Sequence, residues 1–168
     1  MRKIACRQIS GNFIERIARQ WFLITAGTLE KCNTMTANWG GVGFLWMKPV
    51  VYIWVRPERY TFEFLERHET FTLAFLPESR REALALCGKL SGRAHDKIRE
   101  ANLTKLATPE GGITFAEAEF TLECRKLYRQ DMNPAGFIDR TPLEKWYGPG
   151  VGNLHRLYIG EIAHAWQS

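Results

Sequence analysis

Two arginines and two hydroxyl groups follow one another where a strand pattern changes to a helix pattern. The strand pattern is VVYIWV at 50–55 and the helix pattern begins at residue 60, so the polar side chains at the junction are Arg56, Arg59, Tyr60 and Thr61. The first turn of a helix exposes unpaired N–H groups and the positive end of its dipole, and Thr61 is suited to cap that turn. These residues predict a phosphate-binding site. An alternative stays open, in which Thr61 is only a cap and the arginines pair with Glu58 and Glu63.

A second polar stretch, NTMTANWGG at 33–41, interrupts a region that is otherwise expected to be packed. On a strand its side chains alternate between two faces, with Thr34, Thr36 and Asn38 on one and Met35 and Ala37 on the other. A low polar face of this kind suits a flat heterocycle. We expect Gly40 and Gly41 to turn the chain tightly beside the ligand. A solvent-facing strand that ends in a glycine turn is the alternative interpretation.

His155 is the histidine best placed for a role at a pocket wall. It precedes the apolar strand pattern RLYIGEI and shares a strand face with Leu157 and Ile159. A histidine held in a structural hydrogen bond is the alternative. The four histidines are too scattered to predict a metal site, and no two of the four cysteines have the two-residue spacing of metal or dithiol sites. The motifs of P-loop, Rossmann, zinc protease and α/β-hydrolase sites do not occur.

The elements that must position these residues are predicted to be mostly strands. Apolar runs rich in β-branched and aromatic residues predict strands at 21–26, 34–39, 50–55, 70–76, 113–128 and 154–166. Helical spacing predicts short helices at 12–19, 60–67, 79–90 and 93–101, with Phe64 and Leu65 of the second facing inward. Regular βαβ alternation is missing, so we predict a mainly β fold, a barrel with peripheral helices, rather than a Rossmann sheet.

The strand at 50–55 is apolar on both faces, with Val50, Tyr52 and Trp54 on one face. In a small β protein this pattern implies cover on both sides of the sheet. A second copy of the chain is the simplest source of that cover. The sequence therefore predicts a homodimer.

Length and composition predict one globular domain over 1–168, since 45% of the residues are hydrophobic and 24% are charged. The net charge of +5 favours anionic partners, but the basic residues are scattered and predict no nucleic-acid binding. No apolar run is long enough for a signal peptide or a membrane span, so we expect a cytoplasmic protein without a membrane partner. The generous aromatic content serves core packing as well as ligand walls.

The residues quoted above resemble the flavin reductase family, the FMN-binding split β-barrel proteins that include flavoredoxin-like members. The similar segments run in family order through nearly the whole chain: FLITAG at 22–27, NTMTANWGGVGFLWMKPV at 33–50, VRPERYTFEFLE at 55–66, TFTLAFL at 70–76, CGKLSGRAHDKI at 87–98, CRKLYRQDM at 124–132 and HRLYIGEI at 155–162. The combination of NTMTA, a following KPV and RPxRYT is specific. The family has serine more often than Asn38 at the end of the NTMTA segment.

The resemblance implies a Greek-key-like antiparallel barrel that binds FMN as a homodimer, with the flavin near the interface. It implies ring contacts from Thr34, Met35, Thr36, Ala37 and Asn38, and phosphate contacts from Arg56, Arg59, Tyr60 and Thr61. It also places Ser91, Gly92, Arg93, Asp96 and Lys97 close to the cofactor and His155 beside the flavin. Trp39, Trp46 and Tyr60 are either ring shields or core residues.

The activity that the resemblance implies is hydride transfer from NADH or NADPH to the flavin N5 and on to a further acceptor, with few catalytic side chains beyond His155. An alternative is an FMN-containing electron carrier that a redox protein partner reduces. The sequence does not separate the two. A basic nucleic-acid-binding barrel is a third, weaker interpretation, because no basic stripe accompanies the net charge.

Overall fold

The computed structural model describes residues 1–168 and contains ten strands and five short α-helices. The strands are Arg2–Ile4 (β1), Phe22–Gly27 (β2), Cys32–Ala37 (β3), Gly40–Leu45 (β4), Lys48–Val55 (β5), Thr70–Phe75 (β6), Lys105–Ala107 (β7), Ile113–Phe115 (β8), Phe120–Asp131 (β9) and Arg156–Gln167 (β10). The helices are Phe13–Glu15 (α1), Tyr60–Arg67 (α2), Arg81–Lys89 (α3), Lys97–Glu100 (α4) and Thr141–Tyr147 (α5). Helix α1 continues as a short π-helix over Arg16–Gln20.

Eight strands form one antiparallel sheet in the order β3-β2-β6-β9-β10-β5-β4, with β1 paired to the far end of β10. The two ends of this order, β3 and β4, are consecutive in the chain. The sheet therefore coils until its two edge strands lie near each other, joined only by residues 38–39. Strands β7 and β8 form a separate small hairpin. The predicted mainly β fold with short peripheral helices is confirmed.

The inner face of the sheet encloses the larger apolar core. Phe22 and Ile24 of β2 point into it, together with Phe71 of β6 and Tyr158 of β10. The next residue on β2, Leu23, points outward into a second cluster beneath α3. Because it is covered on both sides, the segment FLITAG is buried along its whole length.

Strand β4 corrects one of the predictions. Gly40 and Gly41 do not form a tight turn; they begin a strand that pairs with β5 from Gly40 to Leu45. A Cβ atom on Gly40 would lie 2.6 Å from the carbonyl oxygen of Tyr52, and one on Gly43 would lie 3.1 Å from the Tyr52 ring. The glycines are required because the β5 backbone and the Tyr52 ring lie close against them.

Two other elements differ from the sequence prediction. The single strand expected at 113–128 is two strands, β8 and β9, separated by residues 116–119, and β9 continues to Asp131. The helix expected at 93–101 is only the single turn Lys97–Glu100, preceded by turns at 91–94. The inward positions of Phe64 and Leu65 on α2 are confirmed, since both are buried.

The hairpin between β4 and β5 has an unusual two-residue turn. Leu45 pairs with Lys48, and Trp46 and Met47 between them have φ angles of 52° and 59°. Turns with two positive φ angles normally contain Asn-Gly or similar residues. Here both side chains are large, apolar and exposed, by 55% and 86%. Local backbone preference therefore does not explain the residues at this tip.

The longest α-helix has nine residues, and no helix has the length and apolar character needed to cross a lipid bilayer.

Candidate functional site

A small cavity of about 110 Å³ lies where the first turn of α2 meets the end of α3. We call it the helix-start pocket, and it is lined by Glu58, Arg59, Tyr60, Thr61, Lys89, Leu90, Ser91, Gly92 and Lys97. The strand-to-helix junction supplies one wall. The segment that the family resemblance placed near a cofactor supplies the other.

Lys97 is buried at the bottom of the helix-start pocket, with 4% of its surface exposed. Its Nζ donates to the carbonyl oxygen of Cys87 at 3.0 Å, and no carboxylate forms an ion pair with it. Burial lowers the pKa of Lys97 to about 8. An ammonium group has three protons to donate, so two remain for a ligand.

Arg59 lies beside Lys97 and has a similar arrangement. Its Nη2 donates to the carbonyl oxygen of Gly88 at 3.0 Å, and burial lowers its pKa. Both cations thus interact with carbonyl groups at the C-terminal end of α3, where the helix dipole is negative. The interaction orients them, and it leaves the charge of each without an anionic partner.

Thr61 corrects a second prediction. Helix α2 begins at Tyr60, with Arg59 at the capping position and no side-chain capping bond, so Thr61 lies inside the first turn and does not cap it. Thr61 is fully buried, and its Oγ1 accepts a hydrogen bond from Asn33 Nδ2 at 2.7 Å. The hydroxyl proton has no acceptor in the chain and is available to a group in the helix-start pocket.

The structure places Arg56 and Arg93 away from the helix-start pocket. Arg56 Nη1 donates to the carbonyl oxygen of Val151 at 2.8 Å, and its Nη2 donates to that of Trp146 at 3.0 Å. Arg93 pairs with Glu63 at 2.6 Å and lies over the Tyr60 ring. The open alternative of arginine–glutamate pairing thus applies in part, since Arg56 also lies 3.8 Å from Glu58.

A larger cavity of about 200 Å³ adjoins the helix-start pocket through Arg59. We call it the tryptophan pocket, and it is lined by Met35, Thr36, Ala37, Asn38, Trp39, Trp54, Arg56, Arg59, Trp146 and His155. The centre of the Trp39 ring lies 5.3 Å from that of the Trp146 ring, which it meets edge to face, and 5.0 Å from that of the His155 ring. Of the six residues at 34–39 that were predicted to bind a cofactor, five therefore line one cavity together with Arg56 and His155.

Thr34 is the predicted β3 residue that does not reach the tryptophan pocket. It is fully buried, and its hydroxyl lies 2.9 Å from that of Thr25 and donates to the carbonyl oxygen of Ile24. The Thr36 hydroxyl is bonded to the carbonyl of Leu84 on α3. The backbone of 35–38, rather than the threonine hydroxyls, is therefore the main polar surface that β3 offers to a ligand.

His155 is buried at the wall of the tryptophan pocket, a position that fits both interpretations of this residue. Its Nδ1 lies 2.7 Å from the hydroxyl of Tyr147. Burial lowers the pKa of His155 to about 4, and the charge of Arg56 contributes in the same direction. His155 is therefore neutral at pH 7.

Trp146 and Tyr147 are residues that the sequence analysis missed. They lie on α5, in a segment that is otherwise polar and rich in glycine and proline. A pair of adjacent aromatic residues in such a segment was the available signal, because exposed loops seldom contain two large aromatic residues without a packing role.

The two cavities, which share Arg59 as a lining residue, suit an elongated anionic ligand with a planar ring. The helix-start pocket offers two partly unpartnered cations and a free hydroxyl proton, the chemistry that a phosphate requires. The tryptophan pocket offers aromatic walls and strand backbone, which suit a heterocycle. A phosphorylated flavin has both parts. No group of three or more metal-ligating side chains converges in the structure.

Comparison with known proteins gives a consistent result. The family described as "Flavin reductase like domain" matches residues 14–168. Flavoredoxin from Methanosarcina acetivorans superposes with a TM-score of 0.67 at 19% identity, over 89% of this chain and 68% of that chain. An FMN-binding protein from Thermus thermophilus, solved with bound p-hydroxybenzaldehyde, gives 0.68 at 18% identity, over 100% of this chain and 82% of its own.

A third solved structure is the NADH:FAD oxidoreductase of Streptomyces globisporus, with a TM-score of 0.66 at 18% identity, over 89% of this chain and 75% of that one. No match was found among functionally curated protein sequences. The shared fold is the split β-barrel, which confirms the predicted fold class. The chain belongs to the flavin reductase like family, a family of flavin-binding oxidoreductases.

Proposed function

We propose that this protein binds FMN across its two neighbouring cavities and acts as an NAD(P)H-dependent flavin oxidoreductase. Arg59, Thr61, Ser91 and Lys97 would hold the phosphate in the helix-start pocket. The tryptophan pocket would hold the ring, with the backbone of 35–38 along its polar edge. Family membership and the chemistry of the two cavities support this assignment.

The buried ammonium of Lys97 is the observation that carries the proposal. Burial of a charge without a partner is unfavourable, and natural proteins rarely keep one without a function. Arg59 adds a second cation at the same cavity, where it too lacks a carboxylate partner. A phosphate would supply the missing negative charge to both residues.

FMN, when bound, supplies a two-electron centre that accepts hydride at N5. The protein residues then have three tasks. The strand backbone at 35–38 orients the ring, and Trp39 and Trp146 exclude water from it. Arg56 places positive charge at the same cavity, which favours an anionic reduced ring. His155, at the wall of the same cavity, would contact the ring or the electron donor.

We also propose that two copies of the chain associate through the outer face of β4 and β5. Val51, Ile53 and Val55 face the core, whereas Tyr52 and Trp54 lie half-buried on the outside. Trp54 also lines the tryptophan pocket, so a partner on this face would help to close it. The hairpin-tip residues Trp46 and Met47 are also exposed and apolar, and the Trp46 ring lies beside that of Tyr128 on β9.

An FMN-containing electron carrier is the second candidate, and the similarity to a flavoredoxin favours it. In that case the flavin would receive electrons from a redox protein instead of a nicotinamide. Either role suits the cytoplasm, where the four unpaired cysteines would remain reduced.

Absorbance of the purified protein tests the proposal. We expect a flavin spectrum, either as isolated or after addition of FMN, and bleaching by NADH or NADPH without oxygen. Flavin that stays oxidised with both nucleotides would favour the carrier. A preparation that neither contains nor binds FMN would overturn the proposal.

A matched pair of variants on one short helix tests the phosphate site. We expect Lys97→Gln to weaken FMN binding by about 10- to 100-fold, the range for loss of one charge-assisted hydrogen bond. Binding of riboflavin, which has no phosphate, should change little. Arg99→Gln is the control, because Arg99 is exposed and pairs only with Asp96. Equal losses for FMN and riboflavin would reject this assignment.

A further inference from the structure

Helix α5 brings the hydroxyl group of Tyr147 to the Nδ1 atom of His155. The Tyr147 hydroxyl lies 2.7 Å from His155 Nδ1 and 3.4 Å from Met132 Sδ. A tyrosine hydroxyl has one proton, and imidazole nitrogen is a far better acceptor than thioether sulfur. Nδ1 is therefore the preferred acceptor of the Tyr147 proton, and the contact with Met132 Sδ is the weaker of the two.

That bond determines where His155 carries its proton. A neutral imidazole has one N–H, and its other nitrogen is an acceptor. Since Nδ1 accepts from Tyr147, the proton is on Nε2. No group of the chain bonds Nε2, and His155 lines the tryptophan pocket. Burial keeps the pKa of His155 near 4, so this arrangement persists through the physiological range.

We infer that Tyr147 is a positioning residue that fixes His155 in the Nε2–H form, so that the tryptophan pocket presents a neutral N–H donor to its ligand. The ligand atom that receives this bond must have a lone pair or negative charge. A ring carbonyl, a ring nitrogen or a carboxamide oxygen meets this requirement. A cationic or purely apolar group does not.

The segment that carries Tyr147 is itself held in place by Arg56. The guanidinium bonds the carbonyl groups of Trp146 and Val151, on both sides of the tyrosine, and lies 5.4 Å from the centre of the Tyr147 ring. Asn153 then bonds Glu58 through its backbone N–H and its side chain, both at 3.2 Å. The junction at 55–59 thus fixes α5 against the pocket.

The inference depends on the proposed function only for the identity of the ligand. A neutral donor at this wall stabilises negative charge that develops on flavin or nicotinamide acceptors, and it does so without adding a further cation to a pocket that Arg56 and Arg59 already line. The orientation of His155 is a property of the chain alone. It can therefore be tested without a bound ligand.

The test is ¹H–¹⁵N NMR of the histidine side chains in the full chain, which has four histidines. His155→Gln identifies the His155 signals by their loss. We expect the Nε2–H form in the wild type at pH 7 and a mixture of both neutral forms in Tyr147→Phe, which keeps the ring. Tyr128→Phe is the matched control, because its exposed hydroxyl bonds only Gln130.

Kinetics provide the second readout. We expect Tyr147→Phe to lower the rate of flavin reduction by NADH about tenfold, which corresponds to about 1.4 kcal/mol in the transition state. A wild-type spectrum with the Nδ1–H form, or a Tyr147→Phe spectrum identical to it, would overturn the inference even if flavin reduction is observed. The expected spectra in a protein that binds no flavin would uphold the inference and reject the proposed function.

Discussion

Asn33 on β3 and Thr61 in the first turn of α2 are joined by a buried hydrogen bond of 2.7 Å. The same amide nitrogen of Asn33 lies 3.3 Å from the carbonyl oxygen of Thr34. The bond links the strand that lines the tryptophan pocket to the helix that lines the helix-start pocket. The relative position of the two cavities is therefore fixed within the chain before a ligand binds.

Replacement of Asn33 should affect stability and FMN binding together. Asn33→Ala leaves the buried Thr61 hydroxyl without its donor, so we expect a loss of about 1–3 kcal/mol in the free energy of unfolding. FMN affinity should fall as well, because α2 loses its link to β3. Urea unfolding and flavin titration measure the two effects. As a control, Asn12→Ala removes the side-chain cap of α1 and should lower stability alone.

Gly92 should tolerate no side chain. A Cβ atom there would overlap Asn33 Oδ1 and lie 3.2 Å from the Tyr60 ring, and the Asn33 amide cannot move without breaking its bond to Thr61. We expect Gly92→Ala to cost about 1–3 kcal/mol by overpacking and to reduce FMN binding. Gly136→Ala, at a position with open space around it, should change neither quantity. Wild-type FMN affinity in Gly92→Ala would contradict the assigned phosphate site.

FMN affinity should depend on pH through Lys97. The pKa of this residue is lowered to about 8 in the empty pocket, and a bound phosphate would raise it. Binding above pH 8 then requires uptake of a proton, so the affinity falls as the pH rises further. Titrations with FMN between pH 7 and 10 measure this, with riboflavin as the control. In Lys97→Gln the decline should disappear; if it persists there, another group causes it.

Folding stability should depend on pH through His155. Its pKa is lowered from 6.5 to about 4 in the folded chain, so between these values the unfolded chain binds more protons. The stabilising contribution is complete above pH 6.5 and is lost as the pH falls toward 4. Urea unfolding of the wild type and His155→Gln at pH 7, 6 and 5 checks this. The stability advantage of the wild type over the variant should shrink at each step, and an advantage that grows would contradict it.

The exposed tip of the β4–β5 hairpin offers a test of association. Trp46→Asn combined with Met47→Gly installs residues that prefer the observed turn and removes two large apolar side chains. We expect the wild type to be a dimer in light scattering and the double variant to be a folded monomer. Ile14→Asn, which changes another exposed apolar residue, should leave the dimer intact. A double variant that remains dimeric would exclude the tip from the interface.

The junction at 55–61 was predictable because its determinants are local. Apolar spacing, the change from strand to helix and the cluster of polar residues all lie within a dozen positions. The sequence did not predict that Arg56 turns away from α2, because its partners are carbonyl groups about 90 residues later in the chain. Lys97 entered the prediction only through the family resemblance, since nothing local marks it as buried.

Strand β4 shows a different limit of sequence reasoning. The pair Gly40 and Gly41 predicts a turn on local preference. Only the close approach of the Tyr52 carbonyl to Gly40 and of the Tyr52 ring to Gly43 explains why this strand contains glycine. Trp146 and Tyr147 were missed for a similar reason. Their place at the tryptophan pocket results from contacts with Arg56 and His155, which no short window contains.

Trp146 forms part of the wall of the tryptophan pocket and lies on α5, a segment that contributes no strand to the main sheet. Helix α5 lies between β9 and β10, which pair directly with each other along their length. A protease that cuts near residues 148–152 would leave this pairing in place and release one side of the cavity. Release of the proposed flavin and unfolding of the barrel are therefore separable events, and the first can occur without the second.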